Sequence, residues 1–319
     1  MQALRFQKGK LGIFDVKLQN AASDSVIRVL LSGICSTDIE ITRGYSGFEG
    51  TLGHEFVGIV ENSPDRPDLS GKRVVGEINV GCGDCQLCQK GDARHCPKRT
   101  VLGIKGRDGS HAEFVSLPSR NLLEIPPDLS DEEAVFIEPL AAALGIIERI
   151  DLKNAEKIAI IGDGKLGLLC AFALNRVCPS LTLYGRYSSK LKIAEAAGIE
   201  TCLVDETTHQ YSFYDVVVEA TGSESGFAMA LDLVRPRGTI VLKSTYSGKA
   251  EIEAWRIVVD EISIVGSRCG RFKPTIEWLV NNRIDLAQLI SDEFPLFKGL
   301  AAFDTAKQPG VLKVLLRNT

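Results

Sequence analysis

The sequence of 319 residues has no run of 18 or more apolar residues, so it predicts no membrane-crossing helix. Neither charge dominates: 37 Lys and Arg stand against 41 Asp and Glu, for a formal net charge of -4. A slightly acidic chain lacks the basic footprint of a nucleic-acid-binding domain. With 45% hydrophobic residues and so small a net charge, a largely disordered chain is excluded too. Histidine is scarce, at four residues, and no internal repeat or low-complexity segment occurs. The opening MQALRFQKGKLGIF has neither an apolar core nor a small-residue cleavage site. The sequence therefore predicts a cytoplasmic protein without a secretory leader.

Nine cysteines are too few for a disulfide scaffold in a chain this long, and an odd number fits full pairing poorly. Four of them, Cys82, Cys85, Cys88 and Cys96, fall in the single stretch GCGDCQLCQKGDARHC. Two-residue gaps let neighbouring thiolates converge on one ion, and the longer gap returns the fourth to close a tetrahedron. Gly81, Gly83 and Gly91 supply the tight turns such a loop needs. Four thiolates leave no vacancy for substrate, so the spacing predicts a structural zinc in a lobe over residues 81–97. No recognition-helix pattern follows it, which sets aside a DNA-binding module. Cys170, Cys178 and Cys202 read as buried small hydrophobes, and Cys269 follows a strand. Cys35 opens CSTD after the strand-like VIRVLLSGI, at a strand-to-loop edge where reactive groups are often presented. His54 lies nineteen residues further on, beside Glu55, which makes it a candidate metal ligand. His95 adjoins Cys96 and reads as solvent-facing; His209 sits in a polar loop.

The middle of the chain carries a second signal. KIAIIG, residues 157–162, reads as a buried strand. Gly162-Asp163-Gly164-Lys165-Leu166-Gly167 follows, and then an apolar helix. This is G-x-G-x-x-G between strand and helix, the context that dinucleotide binding requires: a tight turn, close approach of a pyrophosphate, and a helix N-terminus for its charge. The next strand, SLTLYG, ends at Gly185-Arg186, where an NAD site usually carries an acid for the ribose. The missing carboxylate, with Arg186 and Lys190 at hand for a 2′-phosphate, favours NADP(H) over NAD(H). Strands and helices alternate from roughly 155 to 270, which predicts a doubly wound parallel sheet. The Gly- and Pro-rich segment before it predicts a β domain. The tail holds two helices and a final apolar strand, VLKVLL.

Taken in order, Cys35-Ser36-Thr37-Asp38, Gly53-His54-Glu55, the four-cysteine lobe, Glu138-Pro139-Leu140 and the glycine turn resemble the zinc-containing medium-chain dehydrogenase/reductase superfamily. The resemblance covers essentially the whole chain. It implies an α/β protein: a GroES-like β-rich catalytic domain over 1–140 and 275–319, and a Rossmann domain over 141–274, with the active site in the cleft between them. It also implies a catalytic zinc on Cys35, His54 and Glu138, with Glu55 as alternate or supporting partner, so two zinc ions per chain. The EPL form resembles the polyol, sugar and threonine dehydrogenase branch. Thr37 takes the position of the family's hydroxyl relay. Hydride transfer between NAD(P)(H) and an alcohol, polyol or carbonyl follows, in a homodimer or homotetramer. A reductase of activated double bonds and a non-catalytic relative are the alternatives on the same fold.

The chain departs from the family in four places. Glu40 stands where many members have a histidine. The stretch from Gly58 to Val74 is short, and so is the region after the last Rossmann strand, where Arg268 and Arg271 are candidate anion contacts. His111 replaces a common aromatic before Ala112-Glu113. It is either a pocket residue for a polar or acidic substrate group or a surface histidine.

Overall fold

The computed structural model describes residues 1–178, 180–205, 211–244 and 252–318. The chain forms two compact units, Met1–Glu138 with Phe272–Thr319, and Pro139–Arg271.

The first unit is built around the strand Asp24–Gly33. It pairs antiparallel with Glu55–Asn62, with Phe114–Pro118 and with Lys313–Arg317. The full order runs Leu122–Glu124, Arg73–Gly76, Glu55–Asn62, Asp24–Gly33, Lys313–Arg317, Ile290–Pro295. VLKVLL forms a strand because it is apolar on both faces: Val314, Leu315 and Leu316 are buried. Each such side chain contributes about 1.5–3 kcal/mol by leaving water. Its neighbour Ile290–Pro295 was not expected. Four of its six residues are polar or proline and its middle is exposed, so it has no alternation to read. A core of Leu4, Ile34, Ile41, Leu52, Phe303 and Val314 lies at the end of the central strand.

That end positions the chemistry. Gly33 must lack a side chain, because a Cβ there would overlap the Glu55 carboxylate and crowd the Lys313 stem. CSTD, expected as loop, instead starts the helix Ser36–Thr42. The reason is local. Asp38 Oδ2 accepts from Cys35 N at 2.8 Å, and an acid in the first turn is stabilised by the helix's orphan N–H groups.

The second unit is a six-stranded, wholly parallel sheet. Its order is Glu200–Leu203, Leu181–Gly185, Ile158–Ile161, Tyr214–Glu219, Val234–Leu242, Ser263–Gly266. This is the 3-2-1-4-5-6 order of the dinucleotide-binding fold. The first strand is apolar throughout because a parallel sheet is covered on both faces, and all four of its residues are buried.

Candidate functional site

Three groups of residues carry chemistry. The four lobe cysteines come first. Their sulfurs stand 3.5 Å (Cys85–Cys88), 3.5 Å (Cys82–Cys96), 3.7 Å (Cys85–Cys96) and 4.0 Å (Cys82–Cys88) apart. Four thiolates about 2.3 Å from one zinc would stand about 3.8 Å apart, the edge of a tetrahedron. No cysteine among the nine is in a disulfide. Cys82 N–H points at Cys96 Sγ, at 3.5 Å. A Cβ on Gly81 would come within 2.7 Å of Cys88 Sγ, so glycine is required there. The donor set and its spacing fit a closed zinc.

The second group is Cys35, His54 and Glu55, whose ligand atoms lie within 4.8 Å of one another. Cys35 caps its helix, half-buried; His54 and Glu55 are buried at the start of the next strand of the sheet. Behind them is Asp38, fully buried. Its Oδ1 accepts from Gly53 N at 3.1 Å and faces His54 Nδ1 at 3.6 Å. Burial works against the Asp38 charge, but His54 and His111 beside it hold its carboxyl well below the usual range. Burial likewise works against a charge on His54, yet Asp38 and then Cys35 push its affinity for a proton well up. The buried Asp38 carboxylate thus draws positive charge to this cluster. Glu55 Oε1 is buried with no hydrogen-bond partner among the described residues, while Oε2 pairs with the buried Lys313. An open donor set of thiolate, imidazole and carboxylate fits a catalytic zinc.

Thr37 Oγ1 is 3.7 Å from Cys35 Sγ, close enough to belong to this group. Glu40 is not brought to it. Its carboxylate takes Arg43 Nη1 at 2.7 Å on the outer side of the helix. Glu138, in the first turn of Ile137–Arg149, is also outside the set of three. His111 is neither a surface group nor an exposed pocket residue: it is fully buried.

The third group is the glycine turn. Gly162 has φ +119, which favours glycine. A Cβ on Gly167 would overlap the Gly162 carbonyl, so helix Lys165–Asn175 can sit on its strand only without one. A Cβ on Gly164, at the helix N-cap, would meet nothing within 4 Å among the described residues; this is the open approach a pyrophosphate needs. Lys165 and Leu166 open the helix. Gly185 ends the second strand. Arg186 Nη2 reaches Ser225 Oγ at 3.4 Å, and Lys190 Nζ lies 4.6 Å from the Tyr187 ring centroid.

Asp163, inside the turn, had no assigned role from the sequence. Its Oδ2 accepts from Arg186 N at 2.9 Å and Tyr187 N at 2.7 Å. A Cβ on Gly185 would lie 2.7 Å from Asp163 Cβ. The Asp163 carboxylate is therefore fixed at the end of the second strand, against the backbone of Arg186 and Tyr187.

Of the other candidates, Arg271 lies 3.9 Å from Glu148, and the Arg268 carbonyl accepts from Lys243. His95 Nδ1 pairs with Asp92 at 2.9 Å, half-exposed. Cys170 and Cys178 are buried, whereas Cys202 is only partly so, at the sheet's edge strand. His209 lies outside the described residues. No helix among the described residues is long and apolar enough to cross a membrane.

Comparison with known proteins converges on one class. Residues 21–127 match the family model "Alcohol dehydrogenase GroES-like domain" and residues 183–282 match "Zinc-binding dehydrogenase", together more than half of the chain. A sorbitol dehydrogenase of Halalkalibacterium halodurans is 29% identical over 311 residues, 91% of this chain and 90% of its own. A zinc-binding dehydrogenase of Sinorhizobium meliloti 1021, solved with NADP, superposes with a TM-score of 0.88 at 28% identity, covering 99% of this chain and 98% of its own. An alcohol dehydrogenase of Escherichia coli CFT073, solved with NADH, gives 0.90 at 25% identity, covering 99% of each chain. The fold and the sites define an NAD(P)-dependent oxidoreductase of the alcohol dehydrogenase type. The chain belongs to the zinc-containing medium-chain dehydrogenase/reductase superfamily.

Proposed function

We propose that this protein is a zinc-dependent dehydrogenase that moves a hydride between NADP(H), in preference to NAD(H), and an alcohol or polyol or its aldehyde or ketone. The convergence of Cys35, His54 and Glu55 in front of the buried Asp38 carries the reading. Zinc, when bound, would supply the Lewis acidity that makes a hydroxyl acidic, and a bound nicotinamide would supply the hydride acceptor or donor. The chain's own residues do the rest. Cys35 and His54 would hold the metal, with Glu138 as the third ligand and Glu55, engaged with Lys313, as its alternate. Asp38 faces His54 Nδ1 at 3.6 Å, and Nε2 would be the nitrogen offered to the metal. Thr37 Oγ1 would relay the hydroxyl proton, accepting it as it gives up its own to solvent. Cys82, Cys85, Cys88 and Cys96 hold a second, structural zinc. Arg186 and Lys190 pair with the 2′-phosphate, and Gly162, Gly164 and Gly167 admit the pyrophosphate. The assembly is a homodimer or homotetramer.

An activated double-bond reductase needs no such metal-ligand set, so the intact one favours the dehydrogenase. Metal analysis decides between them. Two zinc ions per chain are expected. Cys35→Ser should lose one zinc and all turnover while staying folded, and Cys82→Ser should lose the other and melt at a lower temperature. A wild-type count of one, or full activity in Cys35→Ser, would sink the reading.

A further inference from the structure

We propose that His111 is a positioning residue for the catalytic metal site, acting through Asp38 and held in one tautomer by Ser32. The proposal rests on the metal reading above. His111 and Ser32 have no place in that reading, yet both are buried beside it, Ser32 at 2% and His111 at 0% exposure.

The geometry runs in one line. Ser32 Oγ stands 2.9 Å from His111 Nδ1. His111 Nε2 has no hydrogen-bond partner among the described residues and faces Asp38 Oδ2 at 3.4 Å. The other oxygen of the same carboxylate faces His54 Nδ1 at 3.6 Å. Two imidazoles therefore flank one buried carboxylate, and only one of them belongs to the metal set. The backbone fixes the second ring. His111 N donates to Leu52 O at 2.9 Å, and its carbonyl accepts from Leu4 N at 2.8 Å. The ring also lies against Gly53, the residue before His54: a Cβ there would come within 2.6 Å of His111 Cγ. Gly53 has φ +94, so both space and backbone demand glycine.

The tautomer follows from the partners. A bare lone pair on Nε2 would be repelled by the Asp38 carboxylate facing it, so a ring with one proton carries it on Nε2, and Ser32 Oγ then donates to Nδ1. That N–H edge of the ring then faces the buried carboxylate at 3.4 Å. Asp38 also accepts from Cys35 N and Gly53 N, and His54 Nδ1 faces it at 3.6 Å. A carboxylate in a buried site needs such donors to stay in place. What Asp38 does for His54, His111 does for Asp38.

The test is metal affinity at the catalytic site, read by chelator competition, with the cysteine-lobe zinc as internal control. His111→Phe keeps the volume and removes both ring nitrogens. It should weaken the catalytic site by about tenfold, the lower end for loss of a supporting group around a metal. The cobalt-substituted protein should also change its visible spectrum, and the lobe should be unaffected. His111→Gln, which can accept from Ser32 and donate to Asp38, should restore most of the affinity. Ser32→Ala, a smaller change in case His111→Phe does not fold, should weaken the same site in the same direction. Wild-type affinity and an unchanged cobalt spectrum in a folded His111→Phe or Ser32→Ala protein would overturn the proposal alone. Loss of no metal in Cys35→Ser would overturn the metal reading, and this proposal with it.

Discussion

At the scale of single residues, local spacing was legible and long-range pairing was not. The lobe cysteines and the turn glycines act within a few residues of one another, so their intervals state their purpose. Lys313 meets Glu55 from 258 residues away, and no interval could announce it. Asp38 was quoted only as part of a motif; its place between two histidines needed the fold. Asp163 is the residue whose effect on cofactor choice can be measured. Its carboxylate stands beside the backbone of Arg186, so its charge opposes a 2′-phosphate while the Arg186 side chain favours one. Asp163→Asn keeps an acceptor for the two backbone N–H groups and removes the charge. The ratio of NADPH to NADH affinity should rise several-fold in Asp163→Asn and fall in Arg186→Ala, read by fluorescence titration. Equal affinities for the two cofactors in the wild type would remove the NADP preference. A falling ratio in Asp163→Asn would show that the carboxylate helps rather than opposes.

At the scale of elements, the alternation of apolar strands with helices was readable because the central strands of a covered parallel sheet are apolar on both faces. Ile290–Pro295 escaped because it is polar and half-exposed. The helix Ser36–Thr42 escaped because its start is set by one side chain, Asp38, rather than by periodicity. Strand Tyr214–Glu219 shows how one acid can tie a parallel sheet together. Asp215 accepts from Glu156 N at 2.9 Å, Lys157 N at 2.8 Å and Arg235 Nε at 2.6 Å. Burial works against its charge, but the Arg235 bond and then the two backbone N–H groups outweigh it and hold the carboxyl below the usual range. A carboxyl whose folded value is depressed stabilises the fold above its unfolded value of about 3.9 and loses that contribution as pH falls through the folded value. Stability should therefore decline as the medium is acidified below about pH 4. Asp215→Asn should be less stable at neutral pH and lose part of that decline, followed as urea midpoints across pH. The same acid slope in wild type and Asp215→Asn would assign it to other carboxylates.

At the scale of the whole molecule, neither the strand order nor the surface left for assembly could be read locally. The last strand pairs with the strand at Asp24–Gly33, Leu315 opposite Gly33, and only the family resemblance suggested that return. The oligomer was likewise implied by resemblance, and one surface of the second unit supports it. Trp255, Val258 and Val259 are exposed at 63%, 75% and 68% on the helix Ala254–Val259. The chain then runs into Ser263–Gly266, an edge strand with Ile264 exposed. Large apolar side chains beside an open sheet edge are costly on a monomer, which ordinarily blunts such edges with charge. A self-complementary patch on a twofold axis covers both at once. Sedimentation should therefore give a mass of two or four chains. Val258→Asp, which places a charge on the helix without touching any proposed ligand, should shift that mass towards one chain with both zinc ions retained. A wild-type monomer would reject the oligomer, and an unchanged mass in Val258→Asp would move the interface to another face.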